Sequence, residues 1–312
     1  MNATVIGSGM MGPGIAVTLA LGGVKAAILS RTGEGAAKGL TTARQQLALL
    51  EANGLATAEK SQWALENITA STDFDDAISS ADLVIESAPE NMVFKQNLFA
   101  RMDAIAKPGA VLASNTSGLS ITAIAERCTR PERVLTTHFW NPPHLMPLVE
   151  LVKGEKTADH VIQAVRELLQ SCGKVPVIVK KDRPGQLGNR LQMALVREAV
   201  NIVQEGIADI EDVDLAAKSG FGLRLPVYGI FEHQDIVGLD MGLSIVDYVS
   251  TDLYAEPRAP QLMRDLVERG DLGVKTGKGF YDWSKKDANA VKARRDSFVL
   301  QFLGSAFAKP QE

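Results

Sequence analysis

The first thirty residues constrain this chain more than any other stretch. Ala3-Thr4-Val5-Ile6 is an apolar run of strand length, and Gly7-Ser8-Gly9-Met10-Met11-Gly12 follows it without a spacer. Pro13 to Leu21 has helical spacing, Gly22-Gly23 ends it, and Lys25 to Ser30 reads as a second strand. A glycine turn between a strand and a helix, inside one βαβ length, separates a dinucleotide fingerprint from a chance glycine pattern. Gly7 permits the tight turn, Gly9 lets backbone approach a diphosphate, and Gly12 allows close packing of helix on strand. Met10 and Met11 lie between them, at the positive end of the helix dipole where a diphosphate would rest.

The second strand departs from the usual pattern. A ribose-binding Asp or Glu is expected at its end, about 20 residues after the glycines. Ser30-Arg31-Thr32 stands there instead. An acidic residue repels a 2′-phosphate, whereas a hydroxyl and a guanidinium bind one. Ser30 and Arg31 therefore predict NADP as the cofactor, with NAD the alternative.

Beyond this unit the chain keeps alternating. Gly35 to about Asn67 is helical and polar, divided at Asn53-Gly54. Ile68–Ala70, Asp82–Ser87, Ala110–Ser114, Val134–Thr137, Leu148–Val152 and Val175–Val179 read as strands, with helical spacing through Phe94, Leu98, Phe99, Met102 and Ile105. The expected fold class is α/β, a Rossmann-type doubly wound parallel sheet. After Lys180-Lys181-Asp182-Arg183-Pro184-Gly185 the alternation stops, and only helical segments follow. The chain of 312 residues accommodates two domains. The predicted division is residues 1–183 for a dinucleotide-binding domain and 184–312 for an all-helical second domain. The apolar helices of the second domain predict a homodimer built through it.

A net charge of −4 and a pI near 5.7 argue against a nucleic-acid or anionic-membrane surface. Cys128 and Cys172 are far apart and lack metal-ligand spacing, so no metal site and a reduced, cytoplasmic compartment are expected. No apolar segment is long enough to read as a membrane span.

The chemistry concentrates in Thr136-Thr137-His138-Phe139-Trp140-Asn141-Pro142-Pro143-His144-Leu145-Met146-Pro147-Leu148-Val149-Glu150. Glu150 sits in an apolar, strand-like run, where a carboxylate is costly unless a partner pairs with it. His138, at the end of the preceding strand, is the simplest partner, and the prolines supply the turn between them. A carboxylate that orients a histidine and stabilises its imidazolium makes a proton-abstracting base; the same pair also serves as a purely structural hydrogen bond. His144 is a rival base whose place beside Pro143 predicts a surface or substrate-rim position.

Residues 4–12, 114–117, 136–152, 184–192 and 272–281 together resemble the L-3-hydroxyacyl-CoA dehydrogenase family. The Ser-Asn-Thr-Ser and His…Asn-Pro…Leu-Val-Glu blocks carry most of that likeness. The resemblance implies that His138 is the catalytic base and Glu150 its partner. It also implies that Ser117 holds the substrate hydroxyl, that Asn189 contacts substrate, and that Glu90, Lys95 and Asn115 contact the nicotinamide half of the cofactor. The implied reaction moves a hydride between a nicotinamide ring and a secondary alcohol, 3-hydroxy to 3-keto, while His138 takes the proton.

The substrate is expected to be a small free 3-hydroxy acid or a related polar alcohol. CoA-using relatives carry a lysine cluster after the second strand, whereas Gln45 to Leu55 here contains no Lys or Arg. Asn189-Arg190-Leu191-Gln192 and Gly220-Phe221-Gly222-Leu223-Arg224 resemble the gulonate 3-dehydrogenase and lambda-crystallin branch, with Arg224 the candidate clamp for a substrate carboxylate. The rival reading pairs Arg224 with Glu232. Lys38, Arg44 and Lys60 keep a true 3-hydroxyacyl-CoA dehydrogenase as the alternative. A β-hydroxyacid dehydrogenase with a lysine base and a non-catalytic, crystallin-like dinucleotide-binding protein are further readings.

Overall fold

The computed structural model describes residues 1–307. The chain folds into two compact units, residues 1–190 joined by 293–307, and residues 191–292. The first is built on one eight-stranded sheet in the order β3-β2-β1-β4-β5-β6-β7-β8. The strands are β1 (Asn2–Ile6), β2 (Lys25–Leu29), β3 (Ile68–Ser71), β4 (Leu83–Glu86), β5 (Val111–Ser114), β6 (Val134–Phe139), β7 (Leu148–Lys153) and β8 (Val175–Val179).

Helices connect the parallel strands: α1 (Gly12–Leu21), then α2 (Gly33–Ala52) and α3 (Ala58–Asn67), α4 (Phe74–Ser79), α5 (Met92–Ile105), the single turn α6 (Ile121–Ile124), and α7 (Asp159–Ser171). Residues Gly12 to Ala20 of α1 are all buried, so this helix is core rather than amphipathic surface. By contrast α7 turns Val161, Ile162, Val165 and Leu169 inward and leaves its other face wet. Gly7, at φ +113°, takes a backbone conformation that a side chain resists, and a Cβ there would meet the Ser87 carbonyl oxygen at 2.6 Å.

The sheet departs from the all-parallel expectation at one place. β7 runs antiparallel to β6, and β8 parallel to β7. Only residues 140–147 separate β6 from β7, too few for the crossover of a dozen or more residues that parallel pairing needs. The strand predicted to stop at Thr137 also continues through His138 and Phe139, which sets His138 directly opposite Glu150.

The second unit continues α8 (Gly188–Gln204) and contains α9 (Ile210–Ser219), the short α10 (Phe221–Arg224), α11 (Ile230–Val237), α12 (Leu239–Val249), α13 (Gln261–Glu268) and the start of α14 (Ala288–Phe307). Among its residues only the isolated bridges Gly273–Lys278 and Lys278–Asp282 are strand-like. The compact units divide within α8, whose first turn is tied to the sheet, and α14 returns Leu300 to the sheet unit's core. No helix among the described residues is long and apolar enough to cross a membrane.

His144 is half-buried, not fully exposed as its neighbouring proline suggested. Gly14 of α1 has no side chain, and a Cβ there would meet Pro143 Cγ at 2.6 Å and His144 Nδ1 at 3.2 Å. The ring fills that space with Nδ1 buried and without a hydrogen-bond partner. Burial, and then the Lys174 charge, depress its pKa from 6.5 to about 4, against the opposing pull of Asp296. The unfolded chain thus protonates His144 at a higher pH than the folded one does. Its contribution to stability is intact above about pH 6.5 and is lost as pH falls toward 4. Melting temperatures measured between pH 7 and pH 5 should therefore fall less steeply for His144→Gln than for the parent. Parallel profiles would contradict this account.

Candidate active site

The site grows from one buried carboxylate. Glu150 is fully buried in β7, and both its oxygens are engaged. Oε2 accepts from His138 Nδ1 at 2.6 Å and from Trp140 Nε1 at 3.3 Å. Oε1 accepts from the backbone N–H groups of Leu187 at 3.0 Å and Gly188 at 2.7 Å. Burial alone would push the Glu150 carboxyl up. The His138, Gly188 and Trp140 hydrogen bonds and the His138 charge outweigh that and hold it below its ordinary range. An anionic Glu150 requires the proton on Nδ1 of His138, which leaves Nε2 as the basic nitrogen.

The adjoining loop after β5 is held with equal care. Asn115 Oδ1 accepts from Phe139 N at 2.8 Å, which ties the loop to the end of β6. Glu90 accepts from Thr116 Oγ1 at 2.9 Å and from Ser117 N at 2.6 Å. From the other side Gln186 Nε2 donates to Thr116 O and Asn189 Nδ2 to Ser117 O, both at 2.9 Å. Ser117, Asn189, His138 and Glu150 thus share one hydrogen-bonded framework at the carboxyl ends of β5 and β6, and the Ser117 side chain is exposed.

Lys95, expected beside the nicotinamide half, is held by its own ion pairs. It is buried, with Nζ 2.6 Å from Glu86 Oε1, 3.3 Å from Ala88 O and 3.6 Å from Glu90 Oε2. Ser114 Oγ completes Glu86 at 2.6 Å. Glu86 escaped the sequence reading, although the clue that exposed Glu150, a carboxylate inside an apolar strand, applies to it equally. Trp140 and the Leu187 and Gly188 amides were missed as well. A backbone donor has no residue signature, and an indole after His-Phe reads as core.

A dinucleotide has a cradle at the start of α1. A Cβ on Gly9 would meet nothing within 4 Å, and Met10 is 74% exposed. No side chain caps this helix, and the N–H groups of Gly9, Met10 and Met11 donate to nothing among the described residues. Those amides would hold a diphosphate. A Cβ on Gly12 would drive into the Gly7 carbonyl, so the turn cannot carry a larger residue there. Ser8 and Ser30 pair Oγ to Oγ at 3.0 Å beside Gly35, and Arg31 is exposed. Glu90 and Asn115 lie at the strand ends expected for the nicotinamide half.

Arg224 belongs to the other compact unit. It is exposed and makes no ion pair among the described residues. Glu232 instead accepts from Gly229 N at 2.7 Å. Gly220 and Gly222 serve the tight α9–α10 turn, where a Cβ would strike the Ala216 and Ala217 carbonyls.

Comparison with known proteins identifies the family. Residues 2–183 match the family described as 3-hydroxyacyl-CoA dehydrogenase, NAD binding domain, and residues 185–283 match that family's C-terminal domain. The chain is 34% identical over 298 residues to 5-formyl-3-hydroxy-2-methylpyridine 4-carboxylate 5-dehydrogenase of Mesorhizobium japonicum, covering 94% of each chain. A crystal structure of a 5-dehydrogenase of that substrate, described as an NAD+ dependent dismutase, superposes with a TM-score of 0.92 at 32% identity over 99% of both chains. The (S)-3-hydroxybutyryl-CoA dehydrogenase of Ralstonia eutropha superposes at 0.75 with 35% identity, over 90% of this chain and 98% of the other.

If His138 is the base, His138→Gln should lower turnover by roughly 10²–10⁴-fold, the span of a lost general base. Glu150→Gln should be slow for loss of ring orientation and imidazolium stabilisation, with dinucleotide affinity nearly unchanged in both. Steady-state nicotinamide absorbance and dinucleotide titrations check this. A His138→Gln enzyme with parental turnover would exclude the assignment.

Proposed function

The chain belongs to the 3-hydroxyacyl-CoA dehydrogenase family and is an NAD-dependent dehydrogenase of that family; from that premise we propose that it oxidises a small free hydroxy acid, or a related polar alcohol or hydrated aldehyde, rather than a CoA thioester. The observation that carries the reading of the chemistry is the buried His138–Glu150 pair beside the exposed Ser117 hydroxyl. Ser117 and Asn189 orient the substrate oxygen, and His138 Nε2 takes the hydroxyl proton. Glu150 stabilises the resulting imidazolium. The bound nicotinamide supplies the hydride acceptor, so a carbinol carbon leaves as a carbonyl. A hydrated aldehyde offers the same hydroxyl and hydrogen on one carbon, and the same proton transfer yields an acid.

Two features support a free acid. From Gln45 to the end of α2 the exposed residues are Gln45, Ala48, Leu49, Glu51 and Ala52, which leaves the exposed Arg44 as the one cation of that half to meet the phosphates of CoA. The tighter superposition is on a dehydrogenase whose named substrate is a pyridine carboxylate, itself not a thioester. The likeness of residues 189–192 and 220–224 to the gulonate and lambda-crystallin branch points the same way. Arg224, free of ion pairs among the described residues, is the proposed carboxylate clamp. A 3-hydroxyacyl-CoA substrate is the second reading, favoured by 36% identity over 293 residues to the 3-hydroxybutyryl-CoA dehydrogenase of Clostridioides difficile.

For the dinucleotide we propose NAD(H), which the family description and the dismutase relative favour. NADP(H) is the second reading, because Ser30 and Arg31 present no carboxylate to repel a 2′-phosphate. One set of assays orders these readings: 3-hydroxybutyryl-CoA, free 3-hydroxy acids and pyridine aldehyde carboxylates, each with NAD+ and NADP+. The free substrates should have the higher kcat/KM, and Arg224→Ala should raise their KM about tenfold or more, as expected for a lost charge-assisted hydrogen bond. A strong preference for the thioester, with KM unmoved by Arg224→Ala, would remove the free-acid reading.

The second unit exposes many large apolar side chains, including Val227, Phe231, Ile236, Leu239 and Tyr248, each more than half exposed. We propose that a second copy covers them, as obligate homodimer interfaces are of this hydrophobic kind. Light scattering should give a dimer that Phe231→Lys with Tyr248→Glu dissociates. A monomeric parent would contradict it.

A further inference from the structure

Trp140 has no part in the chemistry described above, yet its indole reaches the carboxylate on which that chemistry depends. Nε1 lies 3.3 Å from Glu150 Oε2, the oxygen that also receives His138 Nδ1. The indole and imidazole rings are 5.8 Å apart between centroids, inclined at 50°. An indole N–H is a donor only, so its one polar option here is that carboxylate. The space for the ring is also made by the sequence. Gly188 opens α8, and a Cβ on it would sit 2.5 Å from Trp140 Cζ2. The missing side chain at 188 therefore admits the indole, while the same residue's N–H reaches Glu150 Oε1 at 2.7 Å.

We propose that Trp140 is a positioning residue of the proton-transfer pair, which shares Glu150 Oε2 with His138 and thereby limits how strongly the carboxylate holds the imidazole N–H. The physical basis is saturation. A carboxylate has about four lone-pair sites. His138, Trp140, Leu187 and Gly188 supply four donors. Two donors on one oxygen divide its electron density, so each is held less tightly than it would be alone. Without the indole N–H, Oε2 serves His138 only. The carboxylate then pulls harder on Nδ1–H, which favours the imidazolium and makes Nε2 slower to release its proton. Trp140 thus keeps the base able to turn over, and it fixes the imidazole plane by tilted ring contact.

Few other charges act on His138. Glu150 faces it from β7. From the end of β4 and the loop after it come Glu86 and Glu90, both within reach of Lys95 of α5. The first turn of α8 presents backbone N–H groups and the exposed Arg190, which donates to Pro184 O. The β5 loop contributes the neutral Asn115 and Ser117. A change at Trp140 leaves all of these in place.

The inference rests on His138 being the base, but its test does not need activity. The protein has 4 histidines, so the His138 imidazole can be assigned in NMR spectra of the cofactor-free protein and titrated. In Trp140→Phe its midpoint should rise by about half a pH unit to one unit, the size of one modest hydrogen bond. The acid limb of kcat/KM should rise with it. Gly188→Ala, which pushes the indole away, should shift the midpoint in the same direction. Added to Trp140→Phe it should do nothing more, because the smaller ring no longer meets the new methyl. If Trp140→Phe does not fold, Gly188→Ala carries the test. An unmoved midpoint in whichever variant folds overturns the proposal, however the rates behave. A parent inactive on free hydroxy acids, with the midpoint still shifted in the variant, would instead refute the proposed substrate and leave the hydrogen-bond sharing established.

Discussion

The arrangement of this site depends on where a negative charge can be buried. Glu150 lies in a strand covered on all sides, and a carboxylate stripped of water there is untenable without donors. No single hydrogen bond suffices, since one to a charged group contributes only about 1.5–3 kcal/mol. Four donors from three places converge instead: an imidazole and an indole from β6 and its end, and two amides from the start of α8. The demand of one side chain therefore fixes the β6–β7 register, the ring plane of His138 and the entry of the chain into its helical half. It also fixes the imidazole tautomer, because a carboxylate that holds Nδ1–H leaves Nε2 as the free ring nitrogen.

A second buried carboxylate repeats the arrangement three strands away. Glu86 is held by Lys95, Ser114 and the Ala88 N–H, and that cluster supports the turn carrying Glu90. Glu90 in turn braces the Thr116–Ser117 loop. Lys95 is thus linked to Ser117 through a chain of ion pairs and hydrogen bonds. Short polar links of this kind keep loops at the ends of a parallel sheet in one geometry, and ligands bind at those ends.

Much of this was legible in the residue order, because period and punctuation report backbone. The glycines from 7 to 12 specified the first turn, and the break at Asn53-Gly54 fell between α2 and α3. The carboxylate in Leu148–Val152 called for a partner, and the register supplied His138. Illegible features were those that depend on what lies opposite. The reversal of β7 follows from a short connection, but the apolar pattern of a strand is the same in either direction. His144 looked exposed because nothing in its own neighbourhood announces that Gly14 leaves room for it. Trp140 carries no sign of being a donor until Gly188 is placed beneath it. Arg224 stands on a different compact unit from His138, and residue order alone gives no register between the two.

The central claim is that the imidazole held by Glu150 is the group whose proton uptake limits the reaction at low pH. Titrating the His138 ring by NMR in the parent protein, and measuring the acid limb of kcat/KM under the same conditions, tests it most directly. The two midpoints should coincide, and the limb should vanish in His138→Gln together with most of the rate. A limb displaced from the His138 titration, or one that survives in His138→Gln, would show that another group is the base.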